Sequence, residues 1–583
     1  MQADWKVAER VFQLGKEANT ERNKGRMPTA PSFHPRWAFG ILNHHETIHV
    51  PGSVVLVARD GSGSDSQSTT DVESKAPETP DTSVSERALI PITSAKKTHH
   101  SNIILHPQPE DSPNDPLNWP VWRRNMVLLS VGLFCMMGAG LTPVLAAGFT
   151  DIANEYQIDV DRVPLTTGMY MLGMGIGSVF VAPTALLYGK RPVYLGGAAL
   201  LVVTCAWCAL SPTFESLVLA RVFQGIAVSP IECLPGSTIS ETFFLHEKAF
   251  RLGIYTLLLM IGKNLFPLAS AGIMQGLDWQ WVFWISAFLA ALIGILILFF
   301  APETFWERRP DLHNSRYTDE LRSLPRRTMA QELQPYHGRL IQDSWIQVAC
   351  RPFTLFSYPA VIWSALVYAC SVGWLVVMSE SVDVIFIGGA YQFTQLQTGL
   401  VYISPLIGGI LGTAIAGKIS DWIVPKMARR NGGMYEPEFR LVMVVPAFIA
   451  TVTGLVGFGW SAEWNEHWMV PTTFFGLVSF GCSLGATTAI SFVMDSHGQY
   501  SVETLVSLTF CKNVFHGMIF SFFFTDWLLQ DGSRWVFMWL GVIHSIVMLS
   551  GILMYIFGKR GRMWVAKRAR GDGVVIPRPR GHS

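Results

Sequence analysis

The chain has 583 residues and a formal net charge of +1; half of its residues are hydrophobic and only 15% are charged. A soluble protein carries nearer a quarter charged residues, so a large water-soluble enzyme is excluded, and the near-neutral balance offers nucleic acid no electrostatic footprint. The eight cysteines fall in or beside apolar segments, which argues against an extracellular disulfide framework. Cys205 and Cys208 form a C-x-x-C inside one such segment and read as small core residues.

Residues 1–122 are polar and read as a cytosolic, partly disordered N-terminal region. Within them 60–86 has the Ser/Thr/Pro-rich, weakly hydrophobic composition of a disordered segment, and 37–59 is too short and too polar to cross a bilayer. Met1 leads into polar sequence, so the first apolar helix is expected to serve as its own targeting signal. A hydrocarbon core about 30 Å thick needs on the order of 20 helical residues. Six segments meet this at 125–149, 163–187, 192–211, 216–240, 250–275 and 279–301 (spans 1–6). Six more lie at 359–388, 397–417, 439–460, 468–493, 502–527 and 534–557 (spans 7–12). Lys and Arg gather in the even-numbered loops, in the linker 302–358 with its eight arginines, and in the basic tail 558–583. That asymmetry predicts cytosolic termini. The reading is an all-α membrane protein of twelve transmembrane helices in two six-helix halves, 123–301 and 359–557. Such halves suggest a transporter built from structural repeats, with its substrate near the midplane; composition alone also allows a channel or a membrane enzyme.

Several spans carry groups that lipid rejects, and such groups normally face a protein interior or a water-filled path. Glu232 sits about eight residues from the cytosolic end of span 4, near 12 Å deep at about 1.5 Å per residue. Desolvation raises the pKa of a buried carboxyl, so it can couple a proton to substrate movement, hold a cationic substrate, or serve as a structural acid. Lys263 lies mid-way along span 5 with Asn264 beside it. It either pairs with Glu232, a pair whose breaking is strongly destabilising, or binds an acidic metabolite. Arg221 and Gln224 share one face of span 4 at i and i+3. In span 11, Lys512 and His516 share a face with Asn513 between them, and Lys512 is a cavity candidate. Asp495 and Glu503 read as gate or helix-end charges; Glu380, Asp383 and His544 are lesser candidates, a lone histidine among apolar residues being more often a satisfied core group. Trp279, Trp281 and Trp284 are expected in an interfacial belt, and Trp363 and Trp374 are candidates for a cavity lining.

The six-plus-six plan and several motifs resemble the major facilitator superfamily. Arg221-x-x-Gln224-Gly225 matches the R-x-x-Q-G signature of proton-coupled members. Ser229-Pro230-Ile231-Glu232, Phe243-Phe244-Leu245-His246-Glu247, Pro302-Glu303-Thr304-Phe305-Trp306 and Asp115-Pro116-Leu117-Asn118-Trp119 are similar to the fungal drug:proton antiporter branch. Gly417-Lys-Ile-Ser-Asp421 with Tyr435-Glu-Pro-Glu-Phe-Arg440 is similar to a narrower fungal subgroup, which includes a yeast carrier of histidinol and polyamines beside secondary-metabolite exporters. The resemblance covers roughly 102–560, and it implies that Arg221 modulates the proton affinity of a nearby acid. The family's loop between spans 2 and 3 reads G-x-L-x-D-R-x-G-R-R. Here Gly189, Lys190 and Arg191 remain, but the acid and first arginine are Leu186 and Leu187, while the second half keeps Gly417 and Asp421. A clamp on the cytosolic gate is therefore expected mainly in the second half. In span 5 the antiporter pattern is only partly met: Phe266 replaces the glycine before Pro267, and Lys263 follows Gly262.

There is no phosphate loop, no H-E-x-x-H motif and no zinc-ligand spacing, so neither an ATP-driven pump nor a metalloenzyme is read here, and no metal or other cofactor is expected. The expectation is a monomeric, proton-driven exporter of a small organic compound in the plasma membrane. Uptake of organic cations such as polyamines and a transport-dead sensor are the rivals.

Overall fold

The computed structural model describes residues 37–38, 40–42, 53–55, 109–306, 323, 325–336, 338–431, 434–497 and 501–571. The stretch read as disordered, 60–86, and the tail beyond 571 lie outside the described residues. Among the described residues eleven helices are long and apolar enough to cross a membrane. Span 11 is the twelfth. It is present as Ser501–Val514, a π-helical turn at Phe515–Phe520, and the start of Ser521–Gly571, too broken to qualify alone. That last helix is really two, since Gly532, at φ 78°, breaks it between spans 11 and 12.

Several boundaries differ from the apolar runs that predicted them. Span 1 is Val121–Leu141, and the chain turns at Thr142 and Pro143 before a separate short helix, Phe149–Tyr156. Span 8, expected to stop at 417, continues to Arg430, and span 12 continues beyond 557 toward Gly571. A helix does not end where hydrophobicity ends: the backbone bonds continue, and Arg429 and Arg430 in the last turn suit a helix C-terminus.

Span 1 packs on spans 5 and 6, span 2 on 4, and span 3 on 4 and 6; span 10 gathers 7, 8 and 9, while 12 lies on 7 and 9. Between the two sets, span 2 meets span 11 and span 5 meets span 8. Small residues permit the close approach that bundles in lipid rely on: a Cβ at Gly225 would lie 2.0 Å from the Tyr170 carbonyl oxygen, and one at Gly408 2.0 Å from that of Gly476.

Both ends of the spanning region fall on one face of the bundle, here the terminal face. Part of the polar N-terminal region is built into it. Trp37–Ala38 pairs with Ile41–Leu42, Val54–Val55 pairs antiparallel with Met434–Tyr435, and Ile41 is fully buried. Ser53 Oγ donates 2.6 Å to Glu436. Glu436 and Glu438, both buried, are neutralised by Lys559 and Arg562 of span 12.

Candidate functional site

Span 4 is three pieces, Phe214–Val228, Pro230–Cys233 and Pro235–Thr242. Pro230 and Pro235 have no N–H for the helical ladder, and the middle piece carries Glu232. Irregular backbone at membrane depth is tolerated only inside protein or along a water-filled cavity. Opposite it, span 11 changes to a π turn just after Lys512 and Asn513, a feature frequent at functional sites. The two interruptions meet across the halves. Lys512 Nζ is ion-paired with Glu232 Oε1, and Asn513 Nδ2 donates 2.6 Å to Glu232 Oε2. The side chains of Lys512 and Glu232 are 5% and 12% exposed. The Lys512 ammonium also stands 5.8 Å from the centre of the Tyr368 ring, and the Tyr255 hydroxyl donates 3.1 Å to the Ile231 carbonyl.

Lys263 is the fourth member, and it is not the partner of Glu232 that its position suggested. Lys512, 280 residues away in sequence, occupies that place. Lys263 is half-buried, within electrostatic reach of Glu232, Lys512 and Cys482, and makes no hydrogen bond or ion pair among the described residues.

One turn beyond Lys512, His516 Nε2 lies 3.1 Å from Glu380 Oε1, both residues essentially buried. Ser521 Oγ donates 3.4 Å to the same carboxylate oxygen. One turn along span 7, buried Asp383 accepts 2.8 Å from Thr150 of the loop joining spans 1 and 2. Glu380 Oε2, Asp383 Oδ1, His516 Nδ1 and Asn513 Oδ1 are buried and have no hydrogen-bond partner among the described residues. Ionisable groups thus run in file from Glu232 within span 4 to Asp383 near the opposite face. There Gln395 of span 8 also bonds Asp151. Desolvation raises the pKa of Asp151, partly offset by that amide. His544 is a satisfied core group on one side, its Nδ1 accepting 3.0 Å from Trp374. Trp363 and Trp374 are core residues at 5% and 0% exposure, and Trp279 of the expected belt is buried and bonded to Glu155.

Arg221 and Gln224 form a separate hub. The guanidinium, fully buried, donates to the carbonyls of Leu141 (2.9 Å), Thr142 (3.2 Å) and Thr166 (3.3 Å), and to Gln224 Oε1 (2.7 Å). Its carbonyl partners cap the end of span 1 and the start of span 2. Eleven residues separate Arg221 from Glu232, about 16 Å at helical rise, so the structure does not bring this pair into the Glu232 cluster.

The gate candidates lie at the terminal face. Gly189, at φ 97°, leads into Lys190, which pairs with Glu241 at 2.7 Å. Buried Arg191 donates to the carbonyls of Ala301, Leu298, Leu333 and Gln334, while its backbone N–H donates 3.0 Å to Glu303. In the second half Asp495 is held by Arg440 and the Tyr435 hydroxyl, and Arg440 reaches Ser420 at 3.3 Å. Gly417 faces open space, an added Cβ meeting nothing within 4 Å; the Asp421 side chain lies outside the described residues. The linker helix Trp345–Leu355, unforeseen from sequence, bridges the halves: Trp345 Nε1 donates 3.2 Å to Thr184 of span 2, and Ser507 of span 11 donates 2.8 Å to the Pro352 carbonyl.

The sequence and the fold both have known counterparts. The chain is 26% identical to the protein HOL1 of Saccharomyces cerevisiae, over 83% of this chain and 94% of that one. It is 25% identical to an uncharacterized MFS-type transporter of Schizosaccharomyces pombe, over 80% and 89%. Its fold is similar to that of the proton:xylose symporter XylE, at 16% identity and a TM-score of 0.52, covering 74% of this chain and 96% of XylE. The family model of the Major Facilitator Superfamily matches residues 127–514, two thirds of the chain. This protein is therefore a multi-pass membrane transporter belonging to the Major Facilitator Superfamily, a family of carriers and not of enzymes.

Proposed function

We propose that this transporter exports a small organic compound from the cytosol by proton antiport and alternating access, with both termini cytosolic, in the plasma membrane and as a monomer. The observation that carries this reading is the Glu232–Lys512–Asn513 cluster, which ties two interrupted spans of opposite halves together at the midplane. An ionised Glu232 holds Lys512 and so holds the halves together. A proton on Glu232 removes the charge that Lys512 needs, loosens the cross-half contact, and lets the halves re-pack. The file through His516, Glu380 and Asp383 supplies a route for that proton from the opposite face, here the outside. Asn513 and the π turn move with span 11 and present the site to either side in turn. Two lysines against one carboxylate weigh against a dedicated carrier of organic cations.

The test compares untargeted metabolite partition between cells and medium, with and without the protein, at two external pH values. The reading requires a compound that accumulates inside and disappears from the medium when the protein is removed. Starvation for an external amine would replace it with cation uptake, and unchanged partition would point to a sensor.

A further inference from the structure

The structure assigns a chemical class to the cargo: we propose that Lys263 binds the anionic group of the substrate, so that the transported compound is an organic acid in its ionised form. This rests on the midplane cluster being the substrate site.

The ionisable side chains within electrostatic reach of Lys263 are Glu232, Lys512 and Cys482, from spans 4, 11 and 10. Cys482 is an uncharged, fully buried thiol. Both oxygens of Glu232 are already engaged, one by Lys512 and the other by Asn513. The cluster therefore keeps one uncompensated positive charge, on Lys263, at a depth where isolated charge is strongly disfavoured. Arg221, Lys190 and Lys559 are each held by carbonyls or carboxylates; Lys263 is left open.

The surroundings fit the same ligand. Ser483, adjacent to Cys482, is 5% exposed and its hydroxyl has no partner among the described residues, so a donor stands ready on span 10. Its oxygen and the sulfur of Met260, just under one turn before Lys263, both approach Gly409. Two tyrosine rings, Tyr255 and Tyr368, border the cluster and provide an apolar and aromatic wall. Asn513 Oδ1, buried and without a partner among the described residues, is an acceptor for a hydroxyl or amide on the cargo. A cation, an unsatisfied hydroxyl donor, one acceptor and two aromatic faces describe a site for a carboxylate on an aromatic or apolar body. A polyamine would instead bring a second positive charge beside Lys263 and Lys512. Export of a monoanion in exchange for a proton also carries positive charge inward on both legs, so the membrane potential and the pH gradient act together.

The experiment uses the full chain in nanodiscs of neutral lipid at pH 7.5, with tryptophan fluorescence and thermal stability as readouts. The probes are 1-naphthylacetate, its uncharged amide, and spermidine. Saturable binding of the acid at least tenfold tighter than the amide is expected. Lys263→Gln should weaken the acid to the level of the amide while leaving the amide unchanged, and Lys263→Arg should restore part of the difference. Both variants are compared with wild type by size-exclusion profile, so a folding defect is seen as such. Equal affinity for acid and amide, acid binding that survives Lys263→Gln, no binding of the acid, or stronger stabilisation by spermidine overturns the assignment. Acid binding that depends on Lys263 without flux driven by a pH gradient would leave the assignment standing and sink proton antiport.

Discussion

If Lys512 and Glu232 form one unit across the halves, removing either should cost most of what removing both costs. Glu232→Gln leaves Lys512, only 5% exposed, facing an amide in place of a carboxylate. Breaking a buried pair by removing one partner costs about 3–5 kcal/mol, and the 12% exposure of Glu232 places this pair at the lower end, about 3 kcal/mol. Lys512→Gln should cost less, because Lys263 remains within electrostatic reach of the carboxylate. The double variant removes both charges and should lose little more than Glu232→Gln alone, giving a coupling energy of about 2 kcal/mol. The assay is denaturant unfolding of the purified chain in detergent for wild type, both singles and the double. Losses that add within about 0.5 kcal/mol would mean independent residues and would refute the cross-half tie.

Arg221→Lys should destabilise by about 2–4 kcal/mol, since a single ammonium cannot reach the Leu141, Thr142 and Thr166 carbonyls that the guanidinium fork holds together; thermal unfolding and membrane yield report it. Gly189→Ala forces a left-handed φ of 97° on a residue with a side chain and drives its Cβ to 2.3 Å from Glu303. A loss of about 1–3 kcal/mol follows, read as a lowered unfolding midpoint. His497, at the terminal face, is kept neutral chiefly by burial and secondarily by Arg562, which lower its pKa to about 4. Its folded value lies below the free value of about 6.5, so the unfolded chain takes up the proton first. Stability from this residue is intact above about pH 6.5 and falls by about 1.4 kcal/mol per pH unit between 6.5 and 4. His497→Asn should flatten that part of the wild-type profile; an identical profile would show the residue is not neutral in the fold. Glu380→Gln, which cuts the file beside His516, should shift the pH at which transport is half-maximal, measured in vesicles.

Most of the fold was legible because spanning helices announce themselves by length and apolarity, and because the long basic linker 302–358 divides the spans into six and six. Intramembrane Glu232, Lys263, Lys512 and Asn513 also stood out one by one, since lipid tolerates few such groups. Their pairing did not. Spans 4 and 5 are neighbours in sequence, so Lys263 looked like the partner of Glu232, whereas the contact that forms joins residues 280 apart through the packing of two halves. Nor does any local pattern tell an arginine that caps helix ends from one that faces a substrate; Arg221 and Gln224 match a proton-coupling motif, yet Arg221 donates to backbone carbonyls and to Gln224 itself. The His516–Glu380 contact had a faint signal, the i, i+4 relation of Lys512 and His516 on span 11 together with the i, i+3 relation of Glu380 and Asp383 on span 7. The two faces meet only once spans 7 and 11 are packed. The linker helix at Trp345–Leu355 was hidden because its short amphipathic run lies inside a long basic loop.

The central claim is that proton binding at the midplane cluster drives transport. Its most direct test loads everted membrane vesicles, cytosolic face outward, with an acidic lumen and follows entry of the compound identified by the partition screen. Wild-type vesicles should accumulate it only while the gradient lasts and lose it on adding a protonophore. Glu232→Gln vesicles, checked for equal protein content, should show entry that no longer responds to the gradient. Accumulation by wild type without a gradient, or a full gradient response in Glu232→Gln, would contradict the account.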